Sequence, residues 1–202
     1  LISEIPNEIF KELKQVTLKD DYKKEVVGVM EDQYSINYKD CPNFNKFILT
    51  QANTFIYERQ QAPILYSILK SFPNSVKNLD PRQFIDLEIG EMWLNSGAKG
   101  SYTPMHDHAG LFSFVVYVKI PYTREEEHKL NNGIEEHKNL NGCTEFLDLH
   151  FHDHLRVPVD KKLEGTCVLF PAWVPHIVYP FKSEGRRITI SGNIFIKKIN
   201  GI

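Results

Sequence analysis

Four residues carry the chemistry this chain can offer: His106, His108, His176 and Arg187. Three imidazoles can share a transition metal, and an arginine brought beside them can hold an anion that touches the same ion. In an extended strand side chains alternate, so His106 and His108 project to one face and Asp107 to the other. His176 follows an apolar run, Cys167-Val-Leu-Phe170, and a Pro-Ala-Trp-Val-Pro turn, which is how a buried strand delivers a ligand at its end. Eleven residues later Arg187 opens a second strand, Arg187-Ile-Thr-Ile-Ser-Gly-Asn193. There Arg187, Thr189, Ser191 and Asn193 share one face, and Ile188 and Ile190 the other. The polar face requires a polar partner, because a buried polar group without one costs about 1 to 3 kcal/mol.

Several strands must position these residues. Phe84, Asp86 and Glu88 alternate with Ile85, Leu87 and Ile89, and after Gly90 the run continues as Met92-Trp-Leu-Asn95. Asn95 to Gly100 reads as a turn-rich link to the His-x-His strand, and Phe112 to Ile120 as a central strand ended by Pro121. Strand character resumes at Cys143 to Phe151, and Leu155 to Leu163 reads as a hairpin arm. Between them Thr123 to Gly142 is polar, with Arg124-Glu-Glu-Glu127 and a turn at Asn131-Asn-Gly133, so an insertion is expected there, either a mobile surface loop or a lid over a site. Upstream, Ile5 to Val16 has helical spacing, with Asn7 as cap, and apolar residues between Phe44 and Ser71 suggest two helices divided near Pro63. The expected organisation is one domain over 1–202, with a mostly helical layer at 1–80, a β core at 81–202 and an insertion at about 122–142.

From about Leu87 to Phe195 the chain resembles the iron- and 2-oxoglutarate-dependent oxygenases, most closely a branch of small bacterial and phage proteins. The resemblance implies a mainly β fold, a double-stranded β-helix or jelly roll of the cupin type, with the N-terminal helices packed outside. It places His106 and His176 on the two iron-binding histidines. Arg187 falls on the arginine that binds the distal carboxylate of 2-oxoglutarate, with Thr189 or Ser191 backing it. Asn95 and Tyr117 join the expected co-substrate set, and Tyr102 competes with Tyr117 to supply a phenol. The family's carboxylate ligand is replaced by His108, so the implied metal set is His106, His108 and His176. Three neutral imidazoles leave the site one unit more positive than two imidazoles and a carboxylate. Fe(II) would take the 2-oxo and C1 carboxylate groups of 2-oxoglutarate and leave a position for O2. The expected reaction is hydroxylation of a small molecule or protein side chain, yielding succinate and carbon dioxide. Gly100 and the His-x-His, with Gly165, Pro171 and His176, also resemble the two cupin motifs. A three-histidine metalloprotein that does not use 2-oxoglutarate therefore stays open, as does a non-catalytic barrel holding an anionic ligand.

Composition bounds the partners. A net charge of -2, with 42% hydrophobic and 25% charged residues, gives no basic field for nucleic acid or a membrane surface. Cys41, Cys143 and Cys167 are an odd number without metal spacing, and no signal pattern or long apolar run appears, so a cytoplasmic setting is expected. The oligomeric state is left open, a homodimer included. His128 and His137 are expected in solvent. The cluster His150-Phe-His-Asp-His154 is expected on a surface hairpin, and Trp93 and Trp173 in the core.

Overall fold

A computed structural model describes residues 1–16, 32–58, 85–131, 134–148 and 153–199. In chain order the elements are β1 (Ile2–Glu4), α1 (Asn7–Val16), β2 (Asp32–Ser35), α2 (Pro42–Glu58), β3 (Ile85–Ala98), β4 (Thr103–His106) and β5 (Phe112–Lys119). Then come α3 (Arg124–Lys129), β6 (Thr144–Asp148), β7 (Asp153–Val157), β8 (Thr166–Pro171), β9 (His176–Val178) and β10 (Arg186–Ile199). The strands form two antiparallel sheets, ordered β1-β8-β5-β10-β3-β2 and β4-β9-β6-β7. This is the jelly roll that the family resemblance implied.

The period of two sorts each strand of the larger sheet. On β5, Phe112, Phe114, Val116 and Val118 join the core under the helices, while Val115 and Tyr117 turn to the interior between the sheets. On β10, Ile188, Ile190 and Ile194 face the helices, whereas Arg187, Thr189 and Ser191 line the interior. Helix α2 seals the outer face with Phe44 edge-on to Phe114 and Phe55 edge-on to Phe112, ring centroids 5.5 and 5.4 Å apart. Its first turn is held by Glu12 of α1, whose carboxylate accepts from the backbone N–H groups of Asn43 and Phe44.

Three features depart from the sequence reading. The N-terminal segment is not only helical: β1 pairs with β8 and β2 with β3, each too short to display a period. The stretch from Asn95 to Ala98 is strand, because β2 and β10 pair with β3 on its two sides, and the turn is confined to Lys99 and Gly100, whose φ is 84°. The polar insertion is anchored. Thr123 caps α3 in a reciprocal box with Glu126, and Glu127 is fully buried. The expected helix beyond residue 58, the turn at 132–133 and the histidines at 150 and 152 lie outside the described residues. Among those described, no helix is long and apolar enough to cross a membrane.

Candidate metal centre and anion pocket

Strands β4 and β9 run antiparallel with His106 directly opposite His176. A bulge between Thr103 and His106 turns both residues inward. His108 arrives differently from the expected alternation. It lies beyond the end of β4, in a loop tied to the β8–β9 turn by its N–H, which donates to Ala172 O at 2.9 Å. Ring centroids are 4.1 Å apart for His106 and His176, 4.9 Å for His106 and His108, and 5.2 Å for His108 and His176. One ring nitrogen from each lies within 4.8 Å of the others.

The surroundings prepare these rings for an ion. Nδ1 of His106 sits 2.8 Å from Pro104 O, and Nδ1 of His176 sits 3.2 Å from Val174 O. A carbonyl only accepts, so each Nδ1 carries the proton and Nε2 keeps its lone pair for a metal. Burial, then the neighbouring His106 and His108, hold the His176 pKa down to about 3. It is therefore neutral at physiological pH, the form that binds metal. Phe146 stacks on it at 5.6 Å and Phe170 meets it edge-on at 5.0 Å. Asp107 is exposed, so no described carboxylate completes the group. Glu91, on the cavity wall, accepts from Asn193 Nδ2 at 2.7 Å. The donor set, nitrogen-only and with two of its three rings oriented by carbonyls, fits a divalent transition ion.

The triad opens onto a cavity of about 260 Å³ between the sheets, which Arg187 also lines. Arg187 is 6% exposed, and its guanidinium pairs with no carboxylate among the described residues. It is held by long hydrogen bonds of 3.3 Å each, from Nη1 to Tyr122 Oη and Tyr179 O and from Nη2 to Ser101 O, and it lies 5.1 Å from the Phe181 ring. Neither Thr189 nor Ser191 backs it. Their hydroxyls accept from Asn95 Nδ2 at 3.3 and 3.2 Å, and Asn95 Oδ1 accepts from Gln33 Nε2 at 2.6 Å. Gln33, Asn95, Thr189 and Ser191 all line the cavity with Arg187. Tyr117 also lines it; Thr144 stands nearby, but the phenol oxygen makes no well-formed hydrogen bond. Burial pushes its pKa up to about 12 and also raises that of Tyr122, against the pull of Arg187. A buried cation beside neutral phenol donors makes an anion pocket.

Not every singled-out residue is part of it. Tyr102 is 40% exposed and off the cavity wall, so it does not compete with Tyr117. Trp93 is buried on the wall, 5.7 Å from the His108 ring, while Trp173 is 45% exposed rather than core. His154 is exposed on β7, 3.8 Å from Glu145 Oε1. His137 is exposed, but His128 is half-buried with Nδ1 enclosed and unpaired, contrary to the expected solvation. Sequence reasoning missed Gln33, Ser101, Tyr122 and Phe181. Only Tyr122 left a trace, an aromatic at the start of an otherwise polar segment.

The profile of a family described as "Putative 2OG-Fe(II) oxygenase" matches residues 91–193, just over half of the chain and the whole span from Glu91 to Asn193 that carries the triad and Arg187. The chain belongs to the 2OG-Fe(II) oxygenases. It is an enzyme of that family, with Fe(II) as cofactor and 2-oxoglutarate as co-substrate. Among solved structures, a Pseudomonas putida prolyl-4-hydroxylase aligns over 98% of this oxygenase and 92% of its own chain, at 14% identity and TM-score 0.54. HygX from Streptomyces hygroscopicus, with nickel and 2-oxoglutarate bound, aligns over 98% and 82% at 10% identity and TM-score 0.54. At these identities the likeness is one of fold. An oxidoreductase of the 2OG-Fe(II) oxygenase family from Burkholderia pseudomallei is matched over 55% of this chain but only 44% of its own, at 14% identity and TM-score 0.41. No curated protein sequence matches.

Proposed function

We propose that this oxygenase hydroxylates a C–H bond of a small molecule or protein side chain, with His106, His108 and His176 as the metal ligands and Arg187 as the seat of the distal carboxylate of 2-oxoglutarate. The overall change balances as 2-oxoglutarate, O2 and R–H giving succinate, CO2 and R–OH. Bound iron supplies a Lewis-acidic, redox-active centre at which the 2-oxo acid and O2 meet. The protein's part is positional. Pro104 O and Val174 O aim the imidazoles, Arg187 and Tyr117 receive negative charge at the far end of the co-substrate, and Phe146 and Phe170 keep water from His176. Asn95, Thr189 and Ser191 offer hydroxyl and amide groups along the same wall, toward the co-substrate or the primary substrate.

The observation that carries this reading is the buried Arg187 on the triad's cavity, without a carboxylate of its own among the described residues. Such a charge is tolerated where a ligand completes it. Anaerobic titration of 2-oxoglutarate into Fe(II)-loaded protein tests it, through the weak visible charge-transfer band of bidentate chelation. The band should appear in the parent and fade in Arg187→Ala with iron retained. Bound iron without a band in the parent would overturn the co-substrate assignment of these residues.

A further inference from the structure

Glu127 is a buried acid that the reaction does not use. Its neighbours Glu125 and Glu126 are in solvent, yet Glu127 is 0% exposed, and no lysine, arginine or histidine among the described residues forms an ion pair with it. Its charge is instead met by two successive backbone groups: Oε2 accepts from Lys182 N–H and Oε1 from Ser183 N–H, both at 2.8 Å. Those N–H groups follow Phe181 directly. The Phe181 ring lies against Tyr122, centroids 5.0 Å apart, and beside the Arg187 guanidinium at 5.1 Å. Tyr122 in turn accepts from Arg187 Nη1 and donates to Gly142 O at 3.2 Å, and Gly142 N–H donates to Pro180 O at 2.8 Å. So the mount of Arg187 is shared between the segment joining β5 to β6 and the segment joining β9 to β10. The Glu127 carboxylate clamps one to the other at Lys182 and Ser183, alongside the bond from Gly142 N–H to Pro180 O and one from Lys182 Nζ to Asn131 Oδ1 at 2.8 Å.

We propose that Glu127 is a positioning residue for the co-substrate: by gripping the chain at Lys182 and Ser183 it fixes Phe181 and Tyr122 around Arg187 and so sets the guanidinium for the distal carboxylate of 2-oxoglutarate. This rests on the assignment of Arg187 made above. The segment that the sequence presents as an insertion, a surface loop or a lid, is then a support for the arginine of the anion pocket. An amide in place of the carboxylate keeps only one acceptor for the two N–H groups, and a methyl keeps none.

The test compares two 2-oxo acids on protein loaded with redox-inert Ni(II), by calorimetric titration. 2-Oxoglutarate carries the distal carboxylate; pyruvate has the same 2-oxo acid head and lacks it. Glu127→Ala should weaken 2-oxoglutarate by about tenfold or more, the scale of a lost supporting partner, while pyruvate affinity and nickel stoichiometry stay within about twofold. Glu127→Gln should fall between. Phe181→Leu, which leaves the clamp intact but removes the ring, should reproduce the selective loss and carries the test where Glu127→Ala does not fold. An unchanged ratio of 2-oxoglutarate to pyruvate affinity in Glu127→Gln and Phe181→Leu overturns the proposal, provided Arg187→Ala lowers that ratio. Equal weakening of both acids, tracking lost nickel or lost thermal stability, assigns Glu127 a purely structural role and overturns it too. If Arg187→Ala itself leaves the ratio intact, the arginine assignment fails first and takes this inference with it.

Discussion

Replacing Arg187 by methionine should stabilise the metal-free protein and at the same time destroy its hold on 2-oxoglutarate. Arg187 is 6% exposed, and its guanidinium has no carboxylate partner among the described residues. Its three hydrogen bonds, at 3.3 Å each, are at the weak end of the N–H···O range. Burying an ion costs several kcal/mol, and long bonds to neutral acceptors return only part of that. Methionine has a similar reach, adapts to an irregular wall and can lie along Phe181 without a charge to desolvate. Replacing buried ionic groups by apolar ones of similar volume is commonly neutral or stabilising, so a gain of about 1 to 2 kcal/mol is expected. For a chain of this size each kcal/mol moves the midpoint by roughly 2 to 4 °C. On the binding side, losing one partner of a buried charge pair costs about 2 to 5 kcal/mol, and 3 kcal/mol is roughly a 150-fold rise in Kd. Thermal unfolding in the presence of a chelator reads the first quantity, and 2-oxoglutarate titration of the Ni(II) form the second. A methionine variant less stable than the parent by about 1 kcal/mol or more would refute the reasoning, because it would show Arg187 already satisfied in the empty pocket. So would a Kd for 2-oxoglutarate within about threefold of the parent's.

Three further outcomes follow from the same geometry. His176 has a folded pKa of about 3 against an ordinary 6.5, so between those values the unfolded chain binds more protons and stability falls as pH drops, by up to about 1.4 kcal/mol per pH unit. Metal-free His176→Phe should show a correspondingly flatter acid limb in denaturant titrations, and an identical slope from pH 6 to 4.5 would contradict the burial argument. His108→Asp installs two imidazoles and a carboxylate, so metal analysis should still find one ion per chain. Its anionic ligand should lower the Fe(III)/Fe(II) potential in a mediated redox titration; a rise would refute the charge argument. Gly142 has φ 70°, and a Cβ there would stand 2.7 Å from the Tyr122 ring. Gly142→Ala should therefore cost about 2 kcal/mol in urea unfolding, and a neutral result would show the Tyr122 mount to be loose.

The legible part of this protein is the part written in local periods. Alternation along β5 and β10 separates a helix-facing apolar row from an interior row, and any strand with that pattern must present Arg187, Thr189 and Ser191 together. The His-x-His of one strand and the histidine after the apolar run of another were enough to expect a metal group before any pairing was known. His108 shows how loosely that expectation was grounded: the group forms, but through a loop tied to Ala172 rather than through strand alternation. Strands β1 and β2 left no mark because runs of three and four residues are too short to show a period, and they exist by pairing with β8 and β3.

What the sequence determined by itself is the strand character of the core, the interior face of each long strand and the identity of the groups that could meet a metal and an anion, since these depend on neighbours along the chain. The jelly roll followed from the family resemblance of its motifs. Only the tertiary structure decided how Arg187 is mounted. Tyr122, Phe181 and the Glu127 carboxylate come from separate segments, and their encounter depends on closure of the barrel and on where a buried charge can find N–H donors. In the sequence Glu127 is one of three consecutive glutamates and indistinguishable from its solvated neighbours. The turn of α3 and the two backbone N–H groups waiting beneath it choose which glutamate is buried, because an isolated carboxylate enters a protein interior only where its lone pairs are already met.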